Sequence, residues 1–123
     1  MRAISFALPI LPGKQEAWRR CLQDMLDVYR SDYEAFQQWL GMTRMLTWLT
    51  EMPGGNMAIV HIEADEPETI LPKLTESDLP FARWLRQHVL ELHGLDVTRP
   101  ARLSTELVLD CEASSCLEAR NDI

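Results

Sequence analysis

Basic charge, paired cysteines and long apolar runs are all scarce in this chain of 123 residues. Twelve Lys and Arg stand against nineteen Asp and Glu, a net charge of −7. That balance argues against nucleic acid or an anionic membrane surface as partner. The one basic cluster, Arg19-Arg20, is short and close to Glu16. No stretch approaches the roughly 18 apolar residues of a membrane span. Three cysteines are an odd set: Cys21 lies in a helical pattern, and Cys111 and Cys116 lie in a polar tail. They have neither zinc-site spacing nor a redox C-x-x-C. A reduced, cytoplasmic protein is the expectation. The chain also lacks a Gly-rich phosphate loop, a nucleophile elbow and a His-Glu-x-x-His zinc motif. No nucleotide, flavin or metal cofactor is expected.

What is present has the composition of one globular domain, nearly half apolar and a quarter charged. The N-terminal Arg followed by apolar residues resembles a signal peptide, yet no small-residue cleavage site follows. Ile4, Phe6, Leu8 and Ile10 alternate with smaller residues, which is strand periodicity. Trp18, Leu22, Met25, Tyr29, Tyr33, Phe36 and Leu40 then form a helical stripe closed by Gly41. Ser31-Asp32 is the expected place for a kink or restart in it. Residues 42–51 and 56–64 read as strands joined by a turn at Met52-Pro53-Gly54-Gly55. Asp65 and Glu68 predict a capping box on a short helix that Pro72 limits. A further helix, capped by Ser77 or Asp78, ends at Gly94. Residues 102–110 read as a fourth strand, and 111–123 as a polar, frayed tail.

This order folds as an α+β domain over 1–110: a ferredoxin-like, four-stranded antiparallel sheet with helices on one face. Both strand faces carry apolar groups. Ala58, Val60 and Ile62 oppose Met57, Ile59 and His61; Met45 and Leu49 oppose Leu46 and Trp48; Leu103, Leu107 and Leu109 oppose Val108. A helix-free face of that kind predicts a homodimer that buries it about a two-fold axis. The element order, with "GMTRMLTWL" leading into "AIVHIEA" and then "PFARWLRQHVLELHG", resembles the dimeric α+β barrel superfamily. That superfamily includes antibiotic-biosynthesis-monooxygenase-like and stress-responsive barrel proteins, and the likeness is to its small bacterial members. The resemblance implies a cofactor-free oxygenase or isomerase acting on a small apolar or aromatic molecule, or else a module that only binds or assembles. The Asn, Trp and His set of haem-degrading members finds no matching local motif, since Asn56 falls at a hairpin turn.

The chemical candidates follow from periodicity. Phe81, Trp84, Leu85, Val89 and Leu92 share one helical face, with His88 near its middle and Arg83, Arg86 and Leu90 outward. His88 is thus either a base in a cavity between helix and sheet or a core ring bonded to a backbone carbonyl. Trp84, Trp48 and Phe6 are expected to line that cavity. Arg44 and Trp48 share a strand face; they could stack on an anionic aromatic ligand, or Arg44 could simply cover Trp48. His61 shares a face with Glu63, as an interfacial contact or a pocket group. His93, at a helix C-terminus, is expected to cap it as a cation. His88 and His93 lie too far apart around the helix to share a metal.

Overall fold

A computed structural model describes residues 2–97 and 105–113. Strand β1 (Ala3–Pro9) is followed by helices α1 (Gln15–Leu26) and α2 (Arg30–Leu40), the hairpin β2 (Met42–Thr50) and β3 (Met57–Ala64), and helices α3 (Ile70–Glu76) and α4 (Pro80–His93). The three strands form one antiparallel sheet in the order β1-β3-β2. The fold is α+β, with a three-stranded antiparallel sheet and four α-helices among the described residues. The fourth strand expected at 102–110 is not formed in its described part. Residues 105–110 have no regular structure and stand exposed, while 102–104 lie outside the described residues. Strand-prone residues need a paired edge to become a strand, and no ladder reaches these. The tail is described only to residue 113.

Strand alternation decides which side chains the helices cover. On β3, Ala58, Val60, Ile62 and Ala64 are buried, whereas Met57, Ile59, His61 and Glu63 face the open side. Phe6 and Leu8 of β1 sit opposite Val60 and Ala58 on the helix side. A bulge at Thr43 inserts one extra residue into β2, so Met42 pairs with Ala64 and Arg44 with Glu63. Met42 and Met45, three apart, therefore both meet the core. Pro9 ends β1 on an edge strand, where its missing N–H interrupts no ladder bond.

The long helical stripe breaks into α1 and α2 at Asp27–Tyr29, not at Ser31-Asp32. Both helices still press the stripe inward through Trp18, Met25, Phe36 and Leu40. Burying each such side chain contributes roughly 1.5–3 kcal/mol. Helix α4 packs on α1, α2 and α3. Phe81 joins Tyr33, Phe36 and Trp84 in one aromatic cluster, with ring centroids 5.9, 5.3 and 5.5 Å away. Gly94 takes a left-handed conformation (φ 68°) at the end of α4, which disfavours any residue with a Cβ there.

Two local expectations fail, one of capping and one of side-chain direction. Glu68 does not reach back to Asp65; it pairs instead with Arg2 at 2.8 Å. Arg86 does not point into solvent. Its Nη1 donates to the carbonyls of Leu74 and Ser77 at 2.7 and 2.6 Å, satisfying acceptors left open at the end of α3.

Candidate functional site

A cavity of about 130 Å³ lies between the helices and the sheet. Its walls are almost wholly apolar: Phe6 and Val60 from the sheet, Met25 and Phe36 from α1 and α2, Leu85 and Val89 from α4. An apolar space of roughly 150 Å³ accepts a benzene ring. Two imidazoles interrupt the wall, His88 and His93. His88 Nδ1 lies 2.9 Å from the Trp84 carbonyl, and His93 Nδ1 lies 2.7 Å from the Pro9 carbonyl. A carbonyl can only accept, so each ring carries its proton on Nδ1 when neutral, and Nε2 is left as an acceptor. Cys21 also lines the space. Burial, and then the charges of Asp24 and Glu91, push its thiol up to about 11. It is no nucleophile at neutral pH.

His93 was expected as a cationic cap and is instead buried. Burial holds its pKa below the ordinary imidazole value, although the bond to Pro9 works the other way. The unfolded chain therefore binds this proton more readily than the native state. Stability is complete above about pH 6.5 and falls as pH drops through the native pKa. Urea melts at pH 7.5 and 5.5 are expected to show this loss. A His93→Gln variant, which keeps a donor for Pro9 but cannot titrate, is expected to lose less over the same interval. Identical losses in the two proteins would show that another group is responsible.

Across the sheet, on the side without helices, register brings Ser5 opposite His61. Ser5 Oγ lies 2.7 Å from His61 Nδ1. Glu63, two residues along the same face, places Oε2 3.4 Å from His61 Nε2. The carboxylate favours a proton on Nε2, which leaves Nδ1 to accept the Ser5 hydroxyl. No family model, curated protein or solved structure matches this chain.

The residues expected to share one pocket are divided by the sheet. Phe6 and His88 line the cavity. Trp84 stands beside it, its ring 4.2 Å from that of His88 and 4.7 Å from Tyr29. Trp48, Arg44 and His61 occupy the opposite face, because they pair with Ile59, Glu63 and Leu46. Trp48 is half exposed and does not line the cavity. The sequence singled out no role for Ser5, and it placed His93 as a helix cap and not as a buried ring on Pro9. Their partners, His61 and Pro9, lie 56 and 84 residues away, and no local pattern connects them. Among the described residues, no group of three or more His, Cys, Asp or Glu could hold a metal ion, and no helix is long and apolar enough to cross a membrane.

Proposed function

We propose that this protein is a dimeric module of the α+β barrel type, each subunit of which binds one small apolar or aromatic molecule between its helices and its sheet. The observation that carries the reading is the apolar cavity with an imidazole acceptor in its wall. A pocket that is mostly apolar with one or two fixed polar groups is the usual form of a small-ligand site. The dimer rests on the helix-free face. Leu46, Trp48, Met57 and Ile59 form an apolar end there, at the β2–β3 side, and Trp48 is half exposed in the single subunit. Such a patch is ordinarily covered by a partner.

The orientation of His88 favours a second reading, that of an enzyme. With Nδ1–H committed to Trp84, Nε2 is the basic atom, suited to removing a proton from a bound carbon or hydroxyl acid. An isomerase or a cofactor-free oxygenase would use it so.

Toluene and phenol test the cavity. Both are expected to shift the methyl resonances of Leu85, Val89 and Leu92. Phenol, which can donate to Nε2, is expected to bind up to about 10-fold more tightly, the worth of one added hydrogen bond. His88→Ala is expected to remove that preference while toluene still binds. If neither compound moves those methyls, the cavity is closed packing and the reading is wrong.

A further inference from the structure

We infer that Ser5, His61 and Glu63 form a second site, on the face of the sheet opposite the cavity, which hydrolyses small neutral carboxylic esters through an acyl-Ser5 intermediate. The inference is independent of the cavity reading, and it leaves the dimer patch free: the cleft lies on the β1 side of this face, whereas Trp48 lies toward β2. Three features carry it.

The first is the relay itself. A serine hydroxyl 2.7 Å from an imidazole nitrogen, with a carboxylate against the other nitrogen, is the arrangement that activates a weak oxygen nucleophile. The side chain of Glu63 is 12% exposed and that of His61 30%, so the carboxylate is largely shielded while the imidazole remains within reach of a substrate.

The second is a donor for the oxyanion. Ala64 N–H donates to Arg2 O, and Ile10 N–H donates to Asn56 O. Hydrogen-bonded pairs between β1 and β3 therefore fall on the even residues of β1. Ser5, an odd residue, turns its N–H toward the free edge of β1, where among the described residues no backbone acceptor meets it. The nucleophile's own N–H is the kind of donor that stabilises a tetrahedral oxyanion.

The third is room. A cleft of about 700 Å³ opens beside this edge, with Ser5 and His61 on one wall and Leu107 and Val108 on the other. Glu68 and Glu106 also line it, and the nearby Arg2 is already paired with Glu68. Such a cleft disfavours an anionic substrate and suits a neutral ester with a short apolar acyl chain.

The steps balance without redox chemistry. Ser5 Oγ bonds to the ester carbonyl carbon as its proton passes to His61 Nδ1. The tetrahedral intermediate collapses, the carbon–oxygen bond to the leaving group breaks, and His61 returns the proton to the departing alcohol. Water then attacks the acyl-serine and gives a proton to His61. The bond between Ser5 and the acyl carbon breaks, Ser5 is reprotonated, and the acid leaves. Glu63 stabilises the imidazolium in both halves.

Hydrolysis of 4-nitrophenyl butyrate and labelling by a fluorophosphonate test the site in the full chain. The label is expected on the tryptic peptide 3–14, whose single hydroxyl side chain is Ser5. His61→Gln is expected to abolish labelling, and Ser5→Ala to lower hydrolysis about 100-fold, at the low end of what such a nucleophile–base pair contributes. A wild-type protein that takes no label at Ser5 overturns the inference, whether or not the variants fold. So does a folded Ser5→Ala variant of undiminished rate, which would mean that the imidazole alone cleaves the probe. Slow amide exchange at Ser5 would overturn it as well, because the edge N–H would then be bonded and could not hold an oxyanion.

Discussion

Replacing Trp48 with glutamate is expected to weaken the proposed self-association by about 30- to 1000-fold, the 2–4 kcal/mol that a central interfacial tryptophan contributes. Trp48 lies on the helix-free face, paired with Ile59 and flanked on its strand by Leu46. It lies on the sheet face opposite the cavity and is half exposed. A large aromatic surface left there gains most from a facing copy, and a carboxylate in its place would have to be stripped of water in the joined state. Because Trp48 lies outside the core of its subunit, the variant is expected to unfold at nearly the wild-type urea midpoint when both are compared as monomers. Sedimentation velocity from 1 to 100 µM distinguishes the outcomes on this scale, which follows from the affinity arithmetic. A wild-type protein that sediments as a monomer throughout would remove the dimer. A variant that associates as tightly as wild type would move the interface elsewhere.

Phe81→Ala is expected to cost about 3–5 kcal/mol of folding stability. Phe81 lies in the first turn of α4 and is buried. Its ring meets Tyr33 and Phe36 of α2 and Trp84 of its own helix. Deleting it removes apolar burial, three ring contacts and the main filling between two helices that pack on each other. A chain of this length has roughly 6–18 kcal/mol of total stability, so the loss could be most of it. The urea midpoint should fall with an unchanged slope, since the surface exposed on unfolding hardly differs. A loss below about 1 kcal/mol would mean that the neighbouring rings collapse into the space. His88→Ala, beside a space that is already open, is expected to cost far less; the contrast separates a packing residue from one that faces a ligand.

Much of the fold was legible. Strand alternation assigned Ala58, Val60 and Ile62 to one face and Met57, Ile59 and His61 to the other, as the sheet has them. Period-2 patterning needs only that one face be buried. The short helix before α4 and the left-handed Gly41 and Gly94 followed from proline and glycine chemistry. Local propensity was less reliable where partners compete. Asp65 and Glu68 have the spacing of a capping box, but Arg2 offers Glu68 a charged partner and the box does not form. Residues 105–110 have strand composition without strand structure. The cysteines were expected to be reduced, and Cys21 is a buried free thiol, but Cys111 is disulfide-bonded. No local pattern in a single sequence reports the pairing of two thiols.

The candidate sites show the same division in sharper form. That His88 would lie on the inward face of its helix, and that His61 and Glu63 would share a strand face, needed only 3.6- and 2-residue periods, properties of the chain itself. That Trp48 and His88 lie on opposite sides of the sheet, that Ser5 meets His61 across 56 residues, and that His93 reaches Pro9 across 84 depend on strand register and on where the bulge at Thr43 falls. Backbone periodicity is local and survives in the sequence. Register is settled by many weak side-chain contacts between distant segments, and those exist only once the chain has folded.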